Sequence, residues 1–401
     1  MIFNPVPPTL MHVDLNSCFA SVEQQANPLF RGRPLAVAAY TTGRGCILAS
    51  SREAKVLGIK TGMSVGEGKS IYPKLIVLPP DPPKYRAVNR ALFQVLSSYT
   101  PDISVESIDE MVLRVPDTRN MVYVAKEIKK RITSEIGEWL TVSIGISTNR
   151  YLAKVGSGLH KPDGLDVITA HNIQEILSRL RLEDLTGIKE GNANRLHLAG
   201  ITTPLAFFMA PADELQRAFR SIVGYQWWVR LHGYDDGQWG RGLPKSFGQS
   251  FAMGHPHTPQ EPQSRQILTQ LVVKMGRRMR ADGFTARGIG ISCYFRDHTS
   301  WSGRYIQKNP CFTDQDLYAH AVRLLGSAPA RQIRILAVWT YQLSQTLYTQ
   351  ESLLEGDQKK QHLTQALDTI ADRWGEFMVT PGRMINMEQK VLDRIAFGGV
   401  R

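Results

Sequence analysis

The chain has 401 residues, 42% hydrophobic and 21% charged, ordinary for a folded protein of two to four domains. Its opening M-I-F-N-P-V-P-P is not a signal peptide, no apolar run nears the roughly 18–20 residues of a membrane helix, and four scattered cysteines (Cys18, Cys46, Cys293, Cys311) argue against a disulfide framework or zinc site and for a reducing cytoplasm. The net charge of +12 suggests a polyanionic partner, nucleic acid first, and the excess is concentrated, with 14 Lys+Arg against 5 Asp+Glu in residues 241–345.

Residues 10–23, L-M-H-V-D-L-N-S-C-F-A-S-V-E, begin with strand alternation and change to a helical period after Asn16, which with Ser17 offers an N-cap. Asp14 is thereby predicted at the C-terminal end of a strand, just before a helix. Such a place suits phosphates and their metals, although alone Asp14 reads equally as a strand-end hydrogen bonder. Residues 33–48 alternate as strands around T-T-G-R-G, and a helix from about Ser51 stops at Gly58. Arg52 and Lys55 lie one turn apart on it, spaced to reach one triphosphate or to form an ordinary exposed basic pair. The prolines of L-P-P-D-P-P-K close this part, and residues 85–99 read as a helix.

Residues 103–115, I-S-V-E-S-I-D-E-M-V-L-R-V, set Asp109 and Glu110 side by side in an apolar run. Ionised carboxylates among apolar neighbours need compensation, so the pair is either a metal site or the exposed bend of a hairpin. A helix over 121–137, with Val124, Ile128, Ile132 and Ile136 at every fourth position, and the strand L-T-V-S-I-G-I-S complete a β–α…β–hairpin–α–β order. That order describes a ferredoxin-like α+β sheet with carboxylates on two strands. A helix through N-R-Y-L-A-K-V-G-S-G-L is closed by H-K-P-D-G, where Pro162 and Gly164 fix the direction of Lys161. Two chemistries fit such a sheet, two-metal nucleotidyl transfer and nucleotide cyclisation, because both need carboxylates on neighbouring strands to hold two cations.

Residues 173–185 look helical, and L-T-G-I-K-E-G-N-A-N-R-L-H-L-A-G-I resembles a helix-hairpin-helix, whose backbone N–H groups meet DNA phosphates. More helix follows through Trp228, and the Gly-rich stretch 233–244 marks a domain boundary. Residues 245–343 form a second α+β unit, beginning with strand K-S-F-G-Q-S-F. Arg287 opens one of its strands, Arg296 and Arg304 punctuate the sheet, and Trp301 and Tyr294 read as core. This unit looks like a basic clamp on a duplex and not like a cyclase appendage. In the tail, Leu363, Leu367, Ile370 and Trp374 read as the packing stripe of a helix, and Q-E-S-L-L lies in a polar linker before it.

Five segments in order, V-D-L-N-S-C-F-A-S-V-E, S-I-D-E, S-I-G-I-S-T-N-R-Y-L-A-K with H-K-P-D-G, the hairpin and K-S-F-G-Q-S-F, resemble a Y-family, translesion-type DNA polymerase of the bacterial polymerase IV-like branch. The resemblance spans nearly the whole chain. It implies an α+β right-hand polymerase: a ferredoxin-like palm (1–25 and 80–170), small fingers (26–79), a helical thumb with the helix-hairpin-helix (171–235), a linker (236–245), a separate α+β little finger (246–345) and a tail (346–401). It implies that Asp14, Asp109 and Glu110, with the Leu15 carbonyl, bind two Mg²⁺, that Phe19 is the steric gate against ribonucleotides, and that Arg52, Lys55 and Lys161 meet the triphosphate. Gly187, Lys189, Gly191 and Arg287 would contact DNA, and Gln350, Ser352, Leu353 and Leu354 a sliding clamp. Primer–template DNA and deoxynucleoside triphosphates are the implied partners of a monomer in the bacterial cytoplasm, at the nucleoid when acting. A different class, a catalytically silent scaffold that binds DNA and recruits another polymerase, would be free to lose the three carboxylates, all of which are present.

Several positions depart from the family pattern. Arg52 replaces a usual Tyr and Lys55 a frequent Arg, exchanging bidentate reach for a point charge at the latter. Asn16, Ser17 and Cys18 replace more acidic and aromatic residues, Lys189 stands at the hairpin's second glycine, and Glu106 and Arg114 stand where aromatic and acidic neighbours of the acidic pair are common. Q-E-S-L-L has Glu for Leu and Leu for Phe relative to the clamp pentapeptide.

Overall fold

The structure is a computed structural model that describes residues 3–115, 120–235, 237, 243–346, 355–387 and 391. The Q-E-S-L-L segment, with Gln350, Ser352, Leu353 and Leu354, lies outside the described residues. The chain divides into two compact units, Met1–Arg241 and Gly242–Asp393.

The first unit is built on β1 (Leu10–Leu15), every residue of which is buried, followed by α1 (Cys18–Ala26). A three-stranded sheet comes next, from β2 (Leu35–Ala38), β3 (Ile47–Ser50) and β4 (Ile76–Leu78), with α2 (Arg52–Val56) and α3 (Val65–Ile71) between the last two. Then follow α4 (Pro82–Ser97), β5 (Ile103–Val105), β6 (Glu110–Arg114), α5 (Met121–Arg131), β7 (Val142–Ser147), α6 (Arg150–Leu159) and β8 (Leu165–Val167). The main sheet runs β5-β6-β1-β7-β8, with β1 antiparallel to both neighbours. The first four strands have the ferredoxin-like order. Met11, Val13 and Leu15 join the core with Met111, Leu113 and Ile144. The alternate positions turn the other way, so the His12 ring meets the Ser157 hydroxyl of α6 at 3.1 Å. Asp14 shares that face by period.

Two local expectations are corrected. The prolines that read as an end are a beginning: Pro82 opens α4, where a missing N–H costs nothing, and the Asp81 carboxylate caps the Lys84 N–H. The Asn16–Ser17 cap is not made. Ser17 occupies the N-cap position in left-handed backbone (φ 52°) without a capping bond, and its hydroxyl accepts from Lys55 instead. The unit ends in α7 (Ile173–Ser178), α8 (Glu190–Leu198), α9 (Pro204–Met209), α10 (Ala212–Phe219) and α11 (Val223–Leu231), packed around Leu196, Phe207, Leu215 and Leu231.

The second unit contains β9 (Ser246–His257), α12 (Pro262–Ala281), β10 (Phe284–Phe295), β11 (Ser300–Cys311), α13 (Asp314–Gly326), β12 (Ile333–Gln345) and α14 (Glu355–Trp374). Its sheet runs β11-β10-β12-β9, all antiparallel. Leu271 and Met275 of α12 and Leu317 of α13 pack against Ile289, Ile291, Leu336 and Val338 on one face. Trp301 packs against this core as expected, whereas Tyr294 does not. The tail helix keeps half of its expected stripe, with Leu367 and Ile370 half-buried. Leu363 and Trp374 are each 61% exposed. Charges dock α14 antiparallel to α12: Lys274 pairs with Glu376 at 3.1 Å, Arg277 with Asp372 at 2.5 Å, and Arg280 with Asp368 at 2.6 Å.

Arg280 is the anchor. Its side chain is 4% exposed and also donates to Asp314 at 2.8 Å and to the Phe312 carbonyl at 3.0 Å. Replacing it would strand two acids, and breaking a buried pair from one side costs roughly 3–5 kcal/mol. We expect Arg280→Met to lower the urea midpoint of this unit by a stability loss of about 3 kcal/mol; an unchanged midpoint would show that the network carries no load.

Candidate active site

The site grows from the register of the central strands. β1 and β6 are paired so that Asp14 lies directly opposite Glu110, and the Leu15 N–H donates to the Asp109 carbonyl at 2.9 Å. Asp109 closes the turn of the β5–β6 hairpin and Glu110 opens β6. The hairpin bend and the acidic cluster are therefore the same place. Asp14 is 7% exposed, and the other two carboxylates are half-buried.

Each carboxylate has a partner. Lys161 donates to Asp14 at 2.5 Å, Lys154 of α6 to Glu110 at 2.7 Å, and the Ser107 hydroxyl to Asp109 at 2.5 Å. Burial pushes the Asp14 carboxyl up to about 6, against the pull of Lys161. Burial also raises Asp109, against its bond from Ser107. For Glu110 burial is outweighed, and positive charge from α6 and Lys161 holds the carboxyl below its usual range. His12, beneath them, is pushed down to about 3 by burial and stays neutral. Among the described residues no three His, Cys, Asp or Glu converge as a ready-made metal cluster. Lysines hold Asp14 and Glu110 as separate ion pairs, and Asp109 is held by the Ser107 hydroxyl.

Asn16 ties this end of the sheet together. Its amide donates to Ser143 at 2.9 Å and accepts from Thr141 at 3.1 Å and from the Asp163 N–H at 2.8 Å, fixing the turn that carries Lys161. Lys55 donates to the Ser17 hydroxyl at 2.8 Å, and burial lowers its pKa, with Lys161 adding to the effect. Arg52 is exposed and lines a cleft of about 960 Å³ with Asn16, Ser17, Pro162 and Asp163. Phe19 is stacked on Tyr85, with centroids 4.3 Å apart and planes 11° apart. The Tyr85 hydroxyl donates to Glu23 at 2.9 Å, as Lys84 does at 2.7 Å, so α4 clamps the ring from behind.

The structure thus brings Asp14, Leu15, Asp109, Glu110, Lys55 and Lys161 to one end of one sheet. Gly187, Lys189 and Gly191 form an exposed hairpin in the helical part; Gly187 is left-handed (φ 89°) and Lys189 caps α8. Arg287 is exposed on β10 in the second unit, at a register shift in the pairing with β11. Lys154 closes the segment S-I-G-I-S-T-N-R-Y-L-A-K, which by itself assigns it no role; its signal is the pair Arg150 and Lys154, one turn apart on the helix that packs on β1 and β7. That helix also accounts for Glu106, whose carboxylate pairs with Arg150, while Arg114 pairs with Asp102 at 3.3 Å.

Residues 13–158 match the impB/mucB/samB family, and residues 244–353 match the C-terminal domain of the same family. The DNA polymerase IV of Moorella thermoacetica is 32% identical over 394 residues, covering 92% of this chain and 94% of that one. The chain belongs to the Y-family DNA polymerases. DNA polymerase IV 1 of Bacillus subtilis is 28% identical, covering 97% of this chain and 96% of that one. A solved chimera of the Y-family DNA polymerases Dbh and Dpo4 superposes with a TM-score of 0.71 at 24% identity, covering 83% of this chain and 98% of that chain. DinB from Sulfolobus solfataricus superposes at 0.55, also at 24% identity, with the same coverage. This Y-family polymerase is a DNA-directed DNA polymerase with the mixed α+β fold of that family. Among its described residues no helix is long and apolar enough to cross a membrane.

The polymerase's Asn16 hub makes a structural prediction. Asn16→Ala should cost about 1–3 kcal/mol by removing a buried, hydrogen-bonded amide. Amide hydrogen exchange at Asp163 should quicken by at least about tenfold, with the amides of β7 unchanged. Unchanged exchange at Asp163 would mean the turn is held by its own geometry.

Proposed function

We propose that this polymerase extends a DNA primer on damaged templates by two-metal nucleotidyl transfer, with low fidelity and low processivity. The observation that carries the reading is the pairing of Asp14 opposite Glu110, with Asp109 beside it and lysines on two of the three. The donor set is all oxygen, the chemistry that suits Mg²⁺. Asp14, Asp109, Glu110 and the Leu15 carbonyl are the residues that would hold the ions. When bound, two Mg²⁺ supply activation of the primer 3′-hydroxyl and charge stabilisation of the leaving pyrophosphate. The rest falls to the chain. Lys161, Lys55 and Arg52 bind and orient the triphosphate around the cleft. Phe19, backed by Tyr85, excludes a 2′-hydroxyl by occupying its space.

In this reading residues 1–25 and 80–170 are the palm, 26–79 the fingers, 171–235 the thumb, 236–245 a linker, and 246–345 the little finger, with 346–401 a tail. The hairpin at Gly187, Lys189 and Gly191 holds the duplex by its phosphates, and Arg287 belongs to the basic grip of the little finger. Gln350, Ser352, Leu353 and Leu354 would dock on a sliding clamp. The polymerase would act as a monomer in the cytoplasm, joining the nucleoid at its substrate.

Primer extension with Mg²⁺ tests the core of this. Asp109→Ala should abolish extension while primer–template affinity stays within about twofold, since phosphate contacts carry most of that affinity; retained extension would refute the metal assignment. Phe19→Ala should reduce discrimination against ribonucleotides by on the order of 100-fold. Sugar selectivity equal to that of the wild type would remove the gate role.

A further inference from the structure

The cleft beside Ser17 has more room than the end of a triphosphate fills. At about 960 Å³ it lies at the upper end of the roughly 300–1,000 Å³ of clefts that hold a whole drug-sized ligand. Its place along the phosphates follows from the residues around it. The reacting phosphorus has to meet the carboxylates of Asp14 and Asp109, and the phosphates after it pass Lys161 and Lys55. Ser17, which accepts from Lys55 at 2.8 Å, is a wall of the cleft, as are Pro162 and Asp163, which follow Lys161 in the chain. The terminal phosphate of a bound nucleotide therefore faces into the cleft.

The walls decide what could follow that phosphate. Among the described residues lining the cleft, Arg52 is the one cation, against the three acids Glu53, Glu138 and Asp163. Each acid already has a partner: Glu53 accepts from Gln24 at 3.1 Å, Glu138 pairs with Arg31 at 2.6 Å and Asp163 with Lys129 at 3.0 Å. A further phosphate would bring like charge against these acids, which costs affinity. The rest of the lining is suited to an uncharged group. Trp139, 36% exposed, lines the cleft with Pro34, Val56 and Leu57. Its ring is fixed in advance, since Nε1 donates to Gln24 at 3.1 Å, the backbone N–H to Gln25 at 2.8 Å, and the Arg31 guanidinium stands 5.5 Å from the ring centre. A ring held this way loses little freedom when a ligand stacks on it.

We infer that the cleft is a subsite for a planar, uncharged substituent on the γ-phosphate, with Trp139 the ring on which the substituent stacks. The polymerase would then take as substrates deoxynucleoside triphosphates esterified on the terminal phosphate. This subsite rests on the triphosphate reading proposed above, because only a nucleotide held by Lys161 and Lys55 aims its γ-phosphate at the cleft. The transfer itself is unaltered. The primer O3′ bonds to the α-phosphorus as the bond from that phosphorus to its bridging oxygen breaks, the hydroxyl proton passes to solvent, and pyrophosphate leaves with the substituent still attached.

Single-nucleotide extension of a primer–template by the full chain tests the subsite apart from the triphosphate site. The substrates are dTTP, its γ-naphthyl ester and deoxythymidine 5′-tetraphosphate. One added ring stack predicts a KM for the ester about fivefold below that of dTTP, with kcat unchanged, and a KM for the tetraphosphate above it. Trp139→Ala should bring the ester up to the KM of dTTP and leave dTTP as it was. Trp139→Phe keeps a ring without the bond to Gln24 and should keep most of the preference. Anisotropy of the naphthyl group on a dideoxy-terminated primer, displaced by dTTP, reads the same preference in the wild type with no bond formed, so the test stands even if the variants fold poorly. Extension with dTTP but an ester KM equal to or above that of dTTP would overturn the subsite alone. So would a tetraphosphate bound more tightly than the ester, or a preference intact in Trp139→Ala. No extension with dTTP would overturn the triphosphate reading, and the subsite with it.

Discussion

Three carboxylates at the end of one buried sheet are the constraint on which the first unit is built. Burial drives two of them, Asp14 and Asp109, toward their neutral forms, and negative neighbours add to the cost of ionising them. The fold answers with partners drawn from one segment, α6 and the turn after it, which supplies Lys154 to Glu110 and Lys161 to Asp14. This explains why β1 must be central: only a strand flanked by both β6 and β7 can be reached by the acidic hairpin on one side and the lysine-bearing segment on the other. The cations that balance the carboxylates are also those a triphosphate would draw on, so charge balance and nucleotide binding compete for the same lysines.

The nucleotide side follows the same economy of parts. Asn16 replaces a charged or aromatic residue of the family pattern, and its three hydrogen bonds join β1, β7 and the Lys161 turn. Ser17, left without a cap to make, accepts Lys55. These departures thus leave the lysines positioned although the residues that usually surround them are gone. Glu106 and Arg114 are likewise a matched exchange, each with an opposite charge brought from another element.

Much of the first unit was legible because its signals are local. The alternation through Asp14, the acidic hairpin and the turn at Pro162 each show themselves within a dozen residues. What escaped depends on distant partners. Lys154 looks like any helix lysine until α6 is laid on β1 and β7. Pro82 read as a terminator because its role as a first-turn residue needs Asp81 to cap. The tail helix keeps Leu367 and Ile370 of its apolar stripe half-buried but exposes Leu363 and Trp374, because α12 offers Lys274, Arg277 and Arg280 at matching spacing and ion pairs help set its orientation.

Everything proposed for the first unit rests on its carboxylates and lysines serving as a metal and triphosphate site. Anomalous diffraction from crystals grown with primer–template, an incoming deoxynucleotide and Mn²⁺ tests it most directly. Anomalous density is expected against the oxygens of Asp14, Asp109 and Glu110, with Lys161 withdrawn from Asp14 onto the triphosphate. Lys161 still paired with Asp14, and no density within coordinating distance of those three residues, would contradict it.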